Sequence, residues 1–198
     1  MLEHAYLALI QFASALSVAL KERDTYTRFH SDRVMNISTA LGERIGLCSS
    51  ELTLLKAASA LHDIGKIGIP DEILLKNNRL DDDERSIIQT HSEQGAEIVS
   101  ALEHEGTDIV ASAIRHHHEN YDGSGYPHSL KGEDIPIYSR IITIADNYDA
   151  MSTRRVYHEP RAHNAIIDEM LRESGHKHDP LLFEKFLGLI EKSEFRVA

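Results

Sequence analysis

The adjacent pair His62-Asp63 constrains the fold of this chain more than any other feature of its sequence. A neutral imidazole and a carboxylate that leave one short stretch of backbone can hold a metal ion, and the second carboxylate oxygen can hold another. Four more residues of metal-ligand type follow at His91, His117, His118 and Asp146. The chain must bring these distant side chains together to form a site for two divalent ions of the iron, manganese or zinc kind. Such a site is suited to hydrolysing phosphoesters.

The hydrophobic pattern predicts an all-α bundle with the ligand residues on inner helix faces. Strand-like alternation of useful length does not occur. In this bundle His91 points inward, and His117 and His118 lie about 100° apart on one helix and serve different metals. The predicted helices run from about Ser31 to Gly46, from Ser49 or Ser50 to His62, from a capping box at Asp81 and Glu84 to Leu102, through Val110 to His118, through Ile142 to Asp149, and from Asp179 through Leu187.

Residues 1–23 are predicted to form a separate N-terminal helix. Its apolar residues alternate at spacings of four and three, which gives one apolar seam. The seam either packs within the domain or forms a homodimer or signalling helix that continues from an upstream module. These apolar residues are Leu2, Tyr6, Leu9, Ala13, Leu16 and Leu20.

The charge and composition restrict the classes of partner. A formal net charge of −11 argues against a broad surface for DNA or anionic membranes. The sequence has no apolar run near the roughly 20 residues that span a bilayer, and no signal-peptide pattern. The single cysteine, Cys48, cannot form an intrachain disulfide, so we predict a cytoplasmic protein. An anionic substrate would need local positive charge, which two divalent metals with only two carboxylate ligands would provide.

Four segments resemble the HD-GYP branch of the HD-domain phosphohydrolases, bacterial enzymes that linearise cyclic di-GMP: HDIGKIGIP, the isolated His91, HHENYDGSGYP and IADNYDAMSTRRVY. The resemblance extends from about Asp24 to Pro180. It implies an HD-domain helical bundle and identifies residues 24–198 as the HD-GYP catalytic domain. The implied reaction is hydrolysis of cyclic di-GMP to linear pGpG, with a slower second cut to GMP, by a hydroxide that bridges the metals.

The resemblance also implies the cofactors and the residues that hold them. Two divalent ions are expected, iron or manganese in the first place, with zinc, nickel and cobalt as alternatives. Asp63 bridges the ions, while Glu119 and Asp149 orient or support ligands rather than bind a metal. The implied metal ligands are His62, Asp63, His91, His117, His118 and Asp146.

His30 matches a histidine that binds a third metal in some relatives, with the help of a glutamate four residues earlier. Tyr26 occupies that earlier position here, so we predict a two-metal centre. His30 would then contact the substrate, a labile third ion or its helix neighbours.

The resemblance assigns substrate contacts as well. Lys66 contacts a phosphate and, with Asp63, is expected to be catalytic, because a cation there stabilises the developing phosphoryl charge. Arg155 is expected to hold the second phosphate. The loop residues Gly125, Tyr126 and Pro127 either approach the nucleotide or recruit partners such as GGDEF-type cyclase domains.

Three other functions stay open at this point. The chain could be a phosphohydrolase for another cyclic or mononucleotide. It could be a slow or non-catalytic cyclic di-GMP receptor. It could also be a protein-interaction module with a structural metal site, in which case removing the metal would unfold the domain.

Overall fold

The regular elements in the described part of the chain are all α- or 3₁₀-helices, which confirms the all-α prediction. The computed structural model describes residues 11–12, 15–16, 18, 27–102, 105–153 and 161–197. Within these ranges the only β-type pairing is an isolated bridge between Ser174 and His178. From residue 27 onward the α-helices are α1 Thr27–Arg44, α2 Ser49–Leu61, α3 Asp71–Leu74, α4 Asp82–Gln89, α5 His91–Ser100, α6 Thr107–Arg115, α7 Ile137–Ser152, α8 His163–Glu173 and α9 Pro180–Ile190. Two short 3₁₀ helices span Ile64–Gly68 and Gly132–Asp134.

One apolar core joins the longer helices. Helix α1 packs against α2 and α7, and α6 packs against α2 and α5. Four of the fully buried side chains are Leu41, Leu55, Ile114 and Ile142, one from each of α1, α2, α6 and α7. Each such side chain stabilises the fold by about 1.5–3 kcal/mol relative to an exposed one. The core therefore fixes four helices that carry most of the candidate ligands or directly precede them.

The 3₁₀ helix after α2 passes unusually close to α5. A Cβ atom on Gly65 would collide with the carbonyl oxygen of His91 and would lie 2.5 Å from the backbone nitrogen of Gly95. Only glycine therefore fits at position 65 without moving a backbone segment. This close contact brings the end of α2, where His62 and Asp63 lie, next to His91.

Several helix ends differ from the sequence-based prediction. Helix α1 begins at Thr27 rather than Ser31, and the long helix predicted from Asp81 to Leu102 is divided at Thr90 into α4 and α5. Its capping box is confirmed, since the Asp81 carboxylate accepts from the Glu84 backbone N–H at 2.9 Å. The predicted start of α9 is also confirmed, with Asp179 as N-cap and a proline at the first helical position.

The placement of His117 and His118 on a helix was wrong. Helix α6 ends at Arg115, and the two histidines lie in the turn that follows. The backbone of His116 has φ −107° and ψ 11°, which is outside the helical range. The 100° separation expected on a helix therefore does not apply to this pair.

The predicted N-terminal seam lies mostly outside the described residues. Leu16, which is described, is helical and packs half-buried against the core. The division into residues 1–23 and 24–198 stays a prediction. No helix in the described ranges is long and apolar enough to cross a membrane.

Candidate metal centre

Histidines and carboxylates from five parts of the chain meet inside the bundle. Neighbouring imidazole rings form a continuous series with centroid separations from 3.9 to 5.4 Å. The structure thus brings together the six predicted ligands and the uncertain His30. The cluster contains His30 of α1, His62 and Asp63 after α2, His91 of α5, His117 and His118 after α6, and Asp146 of α7.

Three of the histidines are fixed in the same tautomer by the backbone that precedes them. Nδ1 of His62, His91 and His117 lies 2.8, 2.7 and 2.6 Å, respectively, from the carbonyl oxygen three residues earlier. A carbonyl oxygen only accepts, so each Nδ1 carries the hydrogen and donates it. Each Nε2 therefore keeps its lone pair for the centre of the cluster, the arrangement found in histidines that bind metals.

The lone pairs at the centre require a cation. Nε2 of His62 is buried and has no hydrogen-bond partner within the described part of the chain. Nε2 of His91 and Nε2 of His117 lie 3.5 Å apart, and two lone pairs at this distance repel each other. Buried polar atoms are rarely left unsatisfied in folded proteins. The residues present therefore fit divalent transition metals, which would satisfy all three nitrogen atoms.

Asp63 lies between two groups of ligand atoms. Donor atoms of His91, His117 and His118 lie within 4.8 Å of one another, and those of His30, His62 and Asp63 do the same. Oδ1 of Asp63 is 3.6 Å from Nε2 of His91, while Oδ2 is 3.5 Å from Nε2 of His62. One carboxylate thus faces both groups, which is the geometry needed to bridge two ions.

The protonation states agree with a ligand set. Burial and the neighbouring His91 lower the pKa of His118 to about 3, and burial with the charges of His118 and His62 holds the pKa of His117 well below its usual value. Burial opposes ionisation of Asp63, but Lys66 and nearby histidines hold its pKa well below the ordinary range. At neutral pH His117 and His118 are therefore neutral and Asp63 is ionised, which are the forms that bind metals.

His30 is oriented by Asp149. Nδ1 of His30 lies 2.7 Å from Oδ2 of Asp149, and its Nε2 lies 3.2 Å from Oδ1 of Asp146. Arg33 donates two hydrogen bonds to Asp149, at 2.5 and 3.0 Å, and so fixes the carboxylate. Burial alone would lower the pKa of His30, but its hydrogen bonds to the two aspartates raise it to about 9. Asp149 therefore supports His30 rather than one of the six predicted ligands.

Lys66 extends from the 3₁₀ helix to the Asp63 carboxylate. Its Nζ lies 2.7 Å from Oδ2 of Asp63, and its side chain is 19% exposed. A cation at the rim of the site and next to the bridging carboxylate is well placed to meet an incoming anion. This position is compatible with the phosphate contact expected from the resemblance.

The loop at residues 119–130 forms one wall of the site. A Cβ atom on Gly125 would collide with the backbone of residues 118–120, so this glycine lets the loop pack on the histidine segment. Tyr126 stacks on the ring of His118 at a centroid distance of 4.9 Å and is joined to Pro127 by a cis peptide bond. The buried Glu119 was expected to orient a ligand histidine. Its carboxylate accepts hydrogen bonds from the backbone N–H groups of His128 and Leu130, at 2.7 and 3.2 Å.

A cavity of about 460 Å³ opens onto the cluster. Predicted metal ligands, among them His118 and Asp146, line it together with the loop residues Gly125 and Tyr126. Other polar side chains that the sequence analysis missed also line it, among them Gln89, Asn120, Asn147 and Lys177. Asn120 and Asn147 lie next to predicted site residues in the sequence and could have been found. Lys177 belongs to no motif and is far in sequence from every predicted site residue, so the sequence did not indicate it.

Some predicted residues cannot be placed. Arg155, expected to hold the second phosphate, and Tyr26, which replaces the carboxylate of a third metal site, lie outside the described residues. Their roles stay predictions.

Comparison with known proteins gives a consistent family assignment. The family model described as HD domain matches residues 13–182. The chain is 40% identical over 172 residues to a 3'3'-cGAMP-specific phosphodiesterase 2 of Vibrio cholerae, covering 87% of this chain and 33% of that protein. It is 35% identical over 174 residues to the cyclic di-GMP phosphodiesterase response regulator RpfG of Xanthomonas campestris, covering 88% of this chain and 46% of that protein. The chain thus spans between a third and a half of these relatives.

A solved structure supports the fold independently. The cyclic GMP-AMP specific phosphodiesterase V-cGAP3 of V. cholerae superposes with a TM-score of 0.66 at 24% identity, covering 84% of this chain and 44% of that one. At this identity the similarity concerns the fold.

Proposed function

The chain belongs to the HD domain family, and from that premise we propose that it is a metal-dependent phosphodiesterase that hydrolyses cyclic di-GMP to linear pGpG. The proposed reaction adds water at one phosphorus, and the ribose 3′-oxygen departs with a proton. The relatives that are named for this activity are longer than the chain, so we infer the activity of the chain from similarity to part of each relative.

A single observation carries the proposal: Asp63 lies between Nε2 of His62 and Nε2 of His91, and each of these nitrogens keeps a lone pair because its Nδ1 donates to a backbone carbonyl. An arrangement of this kind has no use in ordinary core packing, because it leaves a buried nitrogen of His62 unsatisfied. It suits two divalent cations, which are common in enzymes that cleave phosphoesters.

We assign the metals to residues of both groups. His62, Asp63 and Asp146 would hold one ion, and Asp63 with His91, His117 and His118 would hold the other. When bound, the two ions would lower the pKa of a water molecule and offset charge on the phosphoryl oxygens. Iron or manganese is the proposed identity, because imidazole and carboxylate ligands without thiolates suit these metals.

Lys66 and Tyr126 would act on the substrate directly. Lys66 can exchange its ion pair with Asp63 for a phosphoryl oxygen, where its charge stabilises the transition state. Burial and the charges of Asp63 and Asp146 raise the pKa of Tyr126, so its hydroxyl stays protonated and can donate a hydrogen bond to the nucleotide. The cavity that Tyr126 lines would receive the rest of the substrate.

A second cyclic dinucleotide is a specific alternative. The relative that is 40% identical is named for 3'3'-cGAMP rather than for cyclic di-GMP. The two molecules differ in one base and share both phosphates, so the same metal centre can cleave either. The amide side chains of Gln89, Asn120 and Asn147 in the cavity can hydrogen-bond to either purine.

The remaining proposals concern location and partners. A cytoplasmic location agrees with the lone cysteine, Cys48, which is exposed and free. A homodimer formed through the N-terminal helix and recruitment of GGDEF-type cyclases by the loop at residues 122–127 also stay proposals.

The decisive experiment measures turnover of the two cyclic dinucleotides by metal-loaded protein. Purified protein would be stripped with a chelator, reloaded anaerobically with Fe²⁺ or Mn²⁺, and incubated with cyclic di-GMP or 3'3'-cGAMP. Chromatography would separate linear and mononucleotide products. The Asp63→Ala variant is the negative control, and Asp168→Ala, which removes an exposed carboxylate on α8, is its matched control.

The outcomes distinguish a phosphodiesterase from a receptor and from a protein with a structural metal site. Metal-dependent pGpG from the wild type and from Asp168→Ala, but not from Asp63→Ala, supports the proposal. Binding without cleavage supports a receptor. Loss of the helical circular dichroism signal on stripping supports a structural metal. A folded, loaded protein that neither binds nor cleaves either nucleotide contradicts the proposal.

A further inference from the structure

We propose that Lys177 binds the phosphate that is not being cleaved in the cyclic dinucleotide. This inference rests on the proposed function. A cyclic dinucleotide carries two phosphates, one on each side of its ring, and only one can lie at the metal centre during a cleavage step. The other phosphate would need its own cation, because the protein has a formal net charge of −11.

Lys177 is held at the cavity by the loop that forms the opposite wall. It lies in the segment between α8 and α9, and its backbone carbonyl accepts a hydrogen bond from the Tyr121 N–H at 3.2 Å. The carbonyl of the preceding His176 accepts from the Asp122 N–H at 2.8 Å. These two hydrogen bonds join the segment to the loop that carries Tyr126, so the backbone of Lys177 keeps a fixed position relative to the site.

The charges that line the cavity favour Lys177 for this role. Among the lining residues that the structure describes, Lys177 alone carries a permanent positive charge. Lys66 is not one of these lining residues and contacts Asp63 instead. A cation beside Asp63 and a second cation in the cavity wall would each meet one of the two phosphates of the substrate.

The side chain of Lys177 can turn toward a ligand at low cost. Its Nζ lies 3.8 Å from Oε2 of Glu173, and the two side chains are 37% and 31% exposed. Ion pairs this long and this exposed contribute little to stability. A phosphate that enters the cavity would therefore compete successfully with Glu173 for the ammonium group.

The expected effect is on binding rather than on the chemical step. A hydrogen bond between an ammonium group and a phosphate that is equally strong in the ground state and the transition state lowers KM and leaves kcat unchanged. We expect Lys177→Ala to raise KM for the cyclic dinucleotide roughly tenfold, which corresponds to about 1.4 kcal/mol, with kcat within about twofold of the wild type. Lys177→Arg keeps the charge and should recover most of the loss.

The experiment compares a substrate that has two phosphates with one that has a single phosphate. Wild type, Lys177→Ala, Lys177→Arg and the control Lys185→Ala, which removes an exposed lysine on α9, would be assayed with the cyclic dinucleotide and with bis(4-nitrophenyl) phosphate. Lys177→Ala should lose affinity for the dinucleotide only, and Lys185→Ala should behave as the wild type. The double variant Lys177→Ala with Arg155→Ala shows whether Lys177 and Arg155 act on the same phosphate.

Failure of this inference differs from failure of the proposed function. An unchanged KM in Lys177→Ala, while the wild type is active, overturns the role of Lys177 alone. An equal loss with both substrates also overturns it, because the effect would not depend on a second phosphate. If the loaded wild type binds the nucleotide without cleaving it, calorimetry would compare the Kd of Lys177→Ala with that of the wild type instead of the KM. If it neither binds nor cleaves, both proposals fall.

Discussion

Replacement of Gly65 by alanine tests how the site is built, because this residue lies between Asp63 and Lys66. The added Cβ would collide with the carbonyl oxygen of His91, and it would lie 2.5 Å from the nitrogen of Gly95 and 2.7 Å from the carbonyl carbon of His91. All three are backbone atoms, so a change of rotamer cannot relieve the contacts. The 3₁₀ helix and α5 would have to separate by about 1 Å to reach normal van der Waals distances.

The loss of folding stability follows from the separation that the two segments would need. Overpacking a core usually costs 1–3 kcal/mol, and a collision with the backbone of α5, which no side-chain rotation relieves, belongs at or above the top of this range. We expect Gly65→Ala to lower the free energy of unfolding by about 3 kcal/mol. For a domain of this size each kcal/mol shifts Tm by about 2–4 °C, so the expected decrease is about 6–12 °C. Metal content should fall as well, because His91 moves away from Asp63.

Gly95→Ala is the matched control on the other side of the same contact. Its Cβ would lie 3.0 Å from a side-chain methyl of Ile114 and 3.2 Å from the nitrogen of Gly65. These contacts are longer than those of a Cβ at position 65, so the steric clash is much weaker. The substitution also gains up to about 1 kcal/mol of helix propensity in α5. Urea and thermal unfolding of the metal-free variants would measure both effects. The reasoning is refuted if Gly65→Ala stays within about 1 kcal/mol of the wild type or is less destabilising than Gly95→Ala.

Three further substitutions test individual side chains of the site. Asp63→Ala should abolish turnover and metal binding together, because it removes the carboxylate that faces both ligand groups; metal analysis of the purified variant checks this, and full turnover would contradict a two-metal site. Lys66→Ala should keep its metals and lower kcat by about 10²-fold, a typical effect of removing one donor that stabilises developing charge. Unchanged kinetics at equal metal content would mean that Lys66 is a surface residue with no part in catalysis. Asp149→Asn should lower the pKa of His30 from about 9, because the hydrogen bond to the Asp149 carboxylate is one of the interactions that raise it. NMR titration of the metal-free protein measures this, and an unchanged pKa would contradict the pairing of His30 with Asp149.

Much of the fold could be predicted because it depends on local chemistry. The capping box at Asp81 and the Asp179-Pro180 start of α9 are short-range signals, and the structure confirms both. The inward direction of His91 followed from helical periodicity alone.

The parts that could not be predicted depend on contacts between distant segments. Helix α6 continues the apolar pattern toward His118, yet it ends at Arg115, where the glycine-rich loop packs on the histidine segment. The pairing of His30 with Asp149 joins residues 119 positions apart, and no spacing rule reveals it. Lys177 enters the cavity for a similar reason, since backbone hydrogen bonds to the loop at residues 121–122 bring its segment there.

The hydrogen bonds from Nδ1 of His62, His91 and His117 to the preceding backbone carbonyls affect how metals enter and leave the protein. The ring orientations are set during folding, so the conformational entropy of these side chains is already lost before an ion arrives. In a zinc finger, by contrast, the ion itself organises the polypeptide. A preassembled site can exchange one ion for another without refolding. Because the affinity of such ligands rises from manganese and iron toward copper, the ion that would occupy this centre depends on which metals are available as well as on the ligands.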